Sequence, residues 1–166
     1  MKTSDSVKCT DFPCKDIACA SYLVPDVDVD PTLVTILLIS EASPKNPADH
    51  YYAGENALFA RTTVLAFQDA GIKVASIQDI LAMGVYLTTA VKCGKTGYGI
   101  ATQTIQNCSL LLEQEIDLFP NVKVYLLDGC RCDQSAKRYC QKERGSAGDP
   151  RRSHVQDTRR RILFPG

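Results

Sequence analysis

Cys9 and Cys14 enclose four residues, Cys93 and Cys108 enclose fourteen, and nearly eighty residues separate the two pairs. Thiolates at such spacings suit a 4Fe–4S cluster, which takes four cysteine ligands. Local turns cannot unite pairs so far apart in sequence, so a folded domain must do it. Cys19 stands in reserve for Cys9 or Cys14. Cys130, Cys132 and Cys140 have the look of a zinc knuckle but lack a fourth ligand. Cys-x-x-Cys is absent, which weighs against a small thiol redox protein.

The second pair needs a scaffold, and the sequence supplies one. Residues 33–39, Leu-Val-Thr-Ile-Leu-Leu-Ile, form a β-branched apolar run without alternation, as in a strand buried on both faces. A polar loop follows, with Glu41 at its start and His50 facing solvent. Residues 55–70 read as a helix with Leu58, Phe59, Thr62, Leu65 and Ala66 on the inner face, stopped by Gly71. Ser76 and Asp79 make a capping-box pattern for a short helix to Met83. Residues 85–91 are a second strand, 92–99 a glycine-rich loop holding Cys93, 102–118 a helix, and 121–127 a third strand. In that last helix Ile105, Cys108, Leu111, Leu112 and Ile116 share a face. The first thirty residues read as irregular.

Strands alternating with helices predict an α/β fold of three layers, α/β/α, around a mostly parallel sheet. Such sheets bind ligands at the carboxyl ends of their strands. Glu41 and Thr89 both follow from buried strands toward that end, so they are expected to face one pocket.

At 166 residues, 45% apolar and 23% charged, the chain has the composition of one soluble domain. Its first residues lead one to expect no secretory signal, and no apolar run is long enough to span a membrane. A cytoplasmic location is therefore expected, where cysteines act as metal ligands or free thiols more often than as disulfides. The formal net charge is zero. It hides an asymmetry: eight of nine arginines lie between Arg131 and Arg161, and Val, Ile, Leu, Met and Phe number four in residues 128–166. Three parts are expected: a cysteine-bearing segment over 1–30, an α/β core over 31–127, and an Arg/Cys-rich tail from 128 to 166 too poor in apolar residues to order itself.

Ser40-Glu-Ala-Ser-Pro44 after a buried strand, together with Tyr86-Leu-Thr-Thr-Ala-Val-Lys-Cys93, resembles the iron–sulfur members of the uracil-DNA glycosylase superfamily. Those enzymes carry Gly-Glu-Ala-Pro-Gly and a segment close to Tyr-Ile-Thr-Asn-Ala-Val-Lys-Cys. The resemblance covers about residues 7 to 128. It implies a uracil-DNA glycosylase-like fold, hydrolysis of the N-glycosidic bond of a uracil or related damaged base in DNA, and cluster ligation by Cys9, Cys14, Cys93 and Cys108. Glu41 would order the attacking water, and Tyr51 or Tyr52 would stack on the flipped base.

The chain departs from the family in four places. Thr89 stands where the family reads uracil with asparagine, and a hydroxyl cannot present the separate donor and acceptor atoms of an amide. Gly94 and Lys95 replace an arginine and a proline. The Cys9–Cys14 gap exceeds the usual two residues. No histidine-bearing second catalytic loop follows Asp128. From that point the sequence reads as an out-of-frame version of a glycosylase carboxyl-terminal half: shifting one base through codons for residues 128–135 permits Met-Gly-Ala-Val-Ala-Ile-Lys-Ala. The alternative expectation is an iron–sulfur or DNA-binding module without chemistry.

Overall fold

The computed structural model describes residues 1–128 and the backbone of a short strand at 154–156. The expectations for the rest of the 128–166 tail, including Cys130, Cys132 and Cys140, lie outside the described residues.

Five strands form one sheet in the order β1-β3-β2-β4-β5. They are β1 (Ile17–Ala18), β2 (Ile36–Ser43), β3 (Val85–Lys95), β4 (Val124–Asp128) and β5 (His154–Gln156). β3 and β4 flank β2 in parallel, β5 is parallel to β4, and only β1 runs antiparallel, on the far edge of β3. Among the described residues three α-helices, α1 (Leu58–Asp69), α2 (Ile77–Ala82) and α3 (Thr102–Ile116), accompany the sheet. The mixed α/β architecture with a mostly parallel sheet is as the alternating pattern requires.

Period-two alternation along β2 and β3 divides the core. Leu37, Ile39, Tyr86 and Ala90 pack with Leu112 and Ile116 of α3, and Phe119 closes that layer. Ile36, Leu38, Val85 and Leu87 point the other way and pack with Ala60 of α1 and Ile77 and Ile80 of α2. β3 is buried from Val85 through Gly94, the signature of a central strand covered on both faces. Helices therefore cover the sheet on both sides.

Several local expectations are corrected. β2 does not stop at Ile39 but continues to Ser43, so Glu41 belongs to the strand rather than a loop. β3 likewise runs on to Lys95, which puts Cys93 in a strand. Both extensions exist because the two ends pair, with Ala42 opposite Val91 and Ser43 opposite Gly94. Between those pairs Lys92 and Cys93 form a bulge that turns them toward α3. The inner face of α1 is Ala60, Val64 and Phe67, at the i, i+4, i+7 spacing, while Leu58 and Leu65 are each 53% exposed. Two apolar stripes compete on this helix, and the one built on Ala60 is the one that joins the core cluster with Val85, Leu87, Ile77 and Ile80. The amino-terminal thirty residues contain β1, too short to show in sequence. The Ser76–Asp79 capping box is present in full, with Ser76 Oγ accepting from Asp79 N and Asp79 accepting from Ser76 N.

Candidate functional site

β2 lies between β3 and β4, so the chain leaves β2 for one neighbour and later returns to the other. That reversal opens a crevice at the carboxyl ends of the strands. Here it is about 530 Å³ in volume, lined by Ser40–Lys45 from β2 and its end, Lys95–Tyr98 after β3, Asp128 at the end of β4, and Phe59 of α1. Glu41 and Lys95 form an ion pair inside it, with Lys95 Nζ donating to Glu41 Oε2 at 2.6 Å. Both are partly shielded, with side chains 15% and 29% exposed respectively. Asp128 brings a second carboxylate, in register with Ser40 and so one residue away from Glu41 along the sheet.

Thr89 sits below this crevice rather than in its wall. It is fully buried, pairs with Ser40 across the strands, and its Oγ1 lies 3.1 Å from Ser43 Oγ. Ser43 lines the crevice, so Thr89 reaches it through that hydroxyl. Tyr51 and Tyr52 line a different cavity of about 710 Å³, beside Arg61 and Ile77. The Tyr52 hydroxyl accepts from Leu87 N at 3.0 Å, and burial holds its pKa well above the ordinary tyrosine value. The aromatic rings at the Glu41 crevice are instead Phe59, 5.2 Å from Tyr51, and the fully exposed Tyr98. Sequence reasoning missed both. Phe59 was legible as the first large ring after the polar loop, and Tyr98 as the aromatic residue in the glycine-rich loop.

His50 is the plainest correction: it is 1% exposed, not solvent-facing. It caps a single 3-10 turn at Pro47–Asp49 and packs against the rings of Tyr51 and Tyr52. Its Nε2 has no hydrogen-bond partner among the described residues. Burial, and then the nearby Lys92 charge, lower its pKa to about 4, so the ring is neutral at neutral pH.

Behind the crevice runs a buried polar chain that the sequence did not reveal. Lys92 Nζ donates to Thr88 Oγ1 at 2.8 Å, to the Thr89 carbonyl at 2.7 Å and to Glu115 of α3. Tyr86 donates to Glu115 at 2.9 Å, and its hydroxyl also meets Thr3 Oγ1 at 2.7 Å. Gly94 shows how closely the end of β3 is packed: a Cβ there would stand 2.9 Å from Lys45 Cα and Ser21 Cβ. No larger side chain has room at that position.

Cys9, Cys14, Cys19, Cys93 and Cys108 all line one further cavity, of about 270 Å³. All five are free thiols. Cys93 and Cys108 belong to an apolar cluster with Ile17, Ile100 and Ile105, and Cys14, Cys19 and Tyr22 pack onto it. Burial, reinforced by Cys19 and Cys108, pushes the Cys93 thiol up to about 12, and burial also raises that of Cys108. Among the described residues no three His, Cys, Asp or Glu side chains group as a metal site would require. The donor set, five free cysteines around one cavity, is of the kind that a group taking four cysteine thiolates would use.

The fold defines an α/β protein with a switch-point crevice and a separate thiol-lined chamber. Comparison of the chain with protein-family models and with curated proteins gives no match.

Proposed function

We propose that this chain is a uracil-DNA glycosylase-like protein that hydrolyses the N-glycosidic bond of a damaged base flipped out of DNA, with a structural 4Fe–4S cluster. The observation that carries the reading is the placement of Glu41, from the Ser40–Pro44 segment, in the switch-point crevice whose second wall is the chain just beyond Cys93. In this reading Glu41 orients water toward the sugar carbon. Lys95 and Lys45, which line the crevice, would offset the negative charge gathering on the departing base. Phe59 takes the stacking place expected of Tyr51 or Tyr52. Cys14, Cys93 and Cys108, with Cys9 or Cys19, would hold the cluster and clamp the amino-terminal segment to β3 and α3. No described helix is long and apolar enough to cross a membrane, and the reading places the chain in the cytoplasm, acting on DNA.

Two observations favour a second reading, a cluster-bearing module without chemistry. Thr89 is closed off beneath Ser43, and Glu41 is held by Lys95. Duplexes carrying uracil, hypoxanthine or an alkylated base, incubated with the anaerobically prepared protein and then heated in alkali, separate the two. Strand scission by wild type and its loss in Glu41→Gln support the glycosylase. DNA binding without abasic sites on any duplex supports the module.

A further inference from the structure

The chamber holds more thiols than one cluster takes. Cys9, Cys14 and Cys19 follow one another with four residues between each. The amino-terminal segment thus contains two overlapping pairs of identical spacing, sharing Cys14, and all three line the cavity with Cys93 and Cys108.

The fold treats these five unequally. Cys93 and Cys108 are fixed on β3 and α3, at 4% and 5% exposure. Cys14 is tied to α3, where Asn107 Nδ2 donates to its Sγ at 3.7 Å, an N–H to sulfur contact of the kind that tunes clusters. Cys19 arrives from the sheet. β1 pairs Ile17 with Lys95 and Ala18 with Gly94, and Cys19 follows directly, opening the 3-10 turn Cys19–Ser21 beside the end of β3. Its thiol donates to the Cys14 carbonyl at 3.5 Å. Cys9 arrives from the loop, its N–H donating to the Tyr22 hydroxyl at 3.1 Å, and that hydroxyl donating on to the Val7 carbonyl. Tyr22 thus tethers Cys9 from a position just past Cys19. Between Cys9 and Cys14, Phe12 sits at φ 42° and packs edge-on to Tyr22. A bulky residue in the left-handed region is strained, and here it holds the loop against the cavity.

We infer that Cys14, Cys93 and Cys108 are constant ligands and that Cys9 and Cys19 are interchangeable fourth ligands, either of which completes the set. The inference rests on the cluster reading above. Four thiolates suffice for a 4Fe–4S centre, so one of the two is always spare and already in place. Exchange moves no electrons: the incoming thiol gives up its proton and binds iron as thiolate, and the outgoing thiolate takes a proton and leaves.

The test uses the full chain reconstituted without oxygen from ferrous iron and sulfide, read by iron per chain and broad visible absorbance. Cys9→Ser and Cys19→Ser should each match wild type, while the double variant and Cys14→Ser lose both signals. Bleaching by Cys9→Ser or Cys19→Ser alone, or retention by the double variant, overturns the inference. A wild type that takes up no iron overturns the cluster reading itself. Iodoacetamide labelling of the wild-type holoprotein provides a second readout that does not depend on the folding of any variant. Cys9 and Cys19 should both label in part, with Cys14, Cys93 and Cys108 protected. Full labelling of one and full protection of the other would count against exchange.

Discussion

Lys92 on β3 and Glu115 on α3 form an ion pair with side chains 0% and 1% exposed. Lys92 directly precedes Cys93, and Glu115 lies two helical turns beyond Cys108. The pair therefore pins the strand and the helix that carry those two thiols. Its charges are tolerated because every ammonium proton has an acceptor and Glu115 also receives Tyr86 and Thr88.

Breaking the pair on one side should be costly. Lys92→Met leaves Glu115 buried without its cation, and a loss of about 3 to 5 kcal/mol is expected in denaturant unfolding. Lys92→Met with Glu115→Leu should recover most of it, because neither charge then remains. Equal losses in the single and double variants would show that packing, rather than charge, dominates here.

His50 makes stability depend on acid. Its folded pKa is depressed from 6.5 to about 4, so between those values the unfolded chain binds the proton and the folded chain does not. The contribution is complete above pH 6.5 and is lost as pH falls toward 4, worth about 3 kcal/mol across that window. His50→Phe keeps a ring against Tyr51 and Tyr52 and should flatten the slope of unfolding free energy between pH 6.5 and 4. An unchanged slope would place the acid sensitivity elsewhere.

Gly94→Ala should destabilise by about 1 to 3 kcal/mol, as overpacking does. The new methyl meets backbone at Lys45 Cα and the Pro44 carbonyl, at 2.9 and 3.0 Å, and neither can swing aside. Thermal unfolding of Gly94→Ala beside Gly97→Ala, where nothing stands within 4 Å of the added atom, isolates the effect of close approach from that of losing a glycine.

Glu41→Gln separates function from folding. The Glu41–Lys95 pair is near the surface, so its loss should change stability by less than about 1 kcal/mol. On the proposed reading, excision should fall by about 10²-fold or more, the range for a positioned acid–base group. Lys95→Met should affect activity through Glu41 and the departing base while leaving iron content unchanged.

Much of the scaffold was legible because it depends on local pattern. The apolar run at 33–39, of which β2 takes up the part from Ile36 on, the run at 85–91, the Ser76–Asp79 cap and the stripe Ile105, Cys108, Leu111, Leu112 and Ile116 record periodicities that neighbouring residues impose on one another. The convergence of Cys9, Cys14, Cys93 and Cys108 on one cavity was also foreseeable, since thiols distant in sequence serve one purpose only if folding unites them. Other features belong to the assembled sheet. Glu41 and Cys93 joined strands because two strand ends found each other. Thr89 was buried because Ser43 closed over it, and Phe59 displaced Tyr51 and Tyr52 from the crevice because α1 turned Ala60 inward. The Lys92–Glu115 pair joins residues twenty-three apart whose charges, read singly, belong in water. Only a bulge and a helix face brought together by packing supply the acceptors and donors that let both charges stay inside.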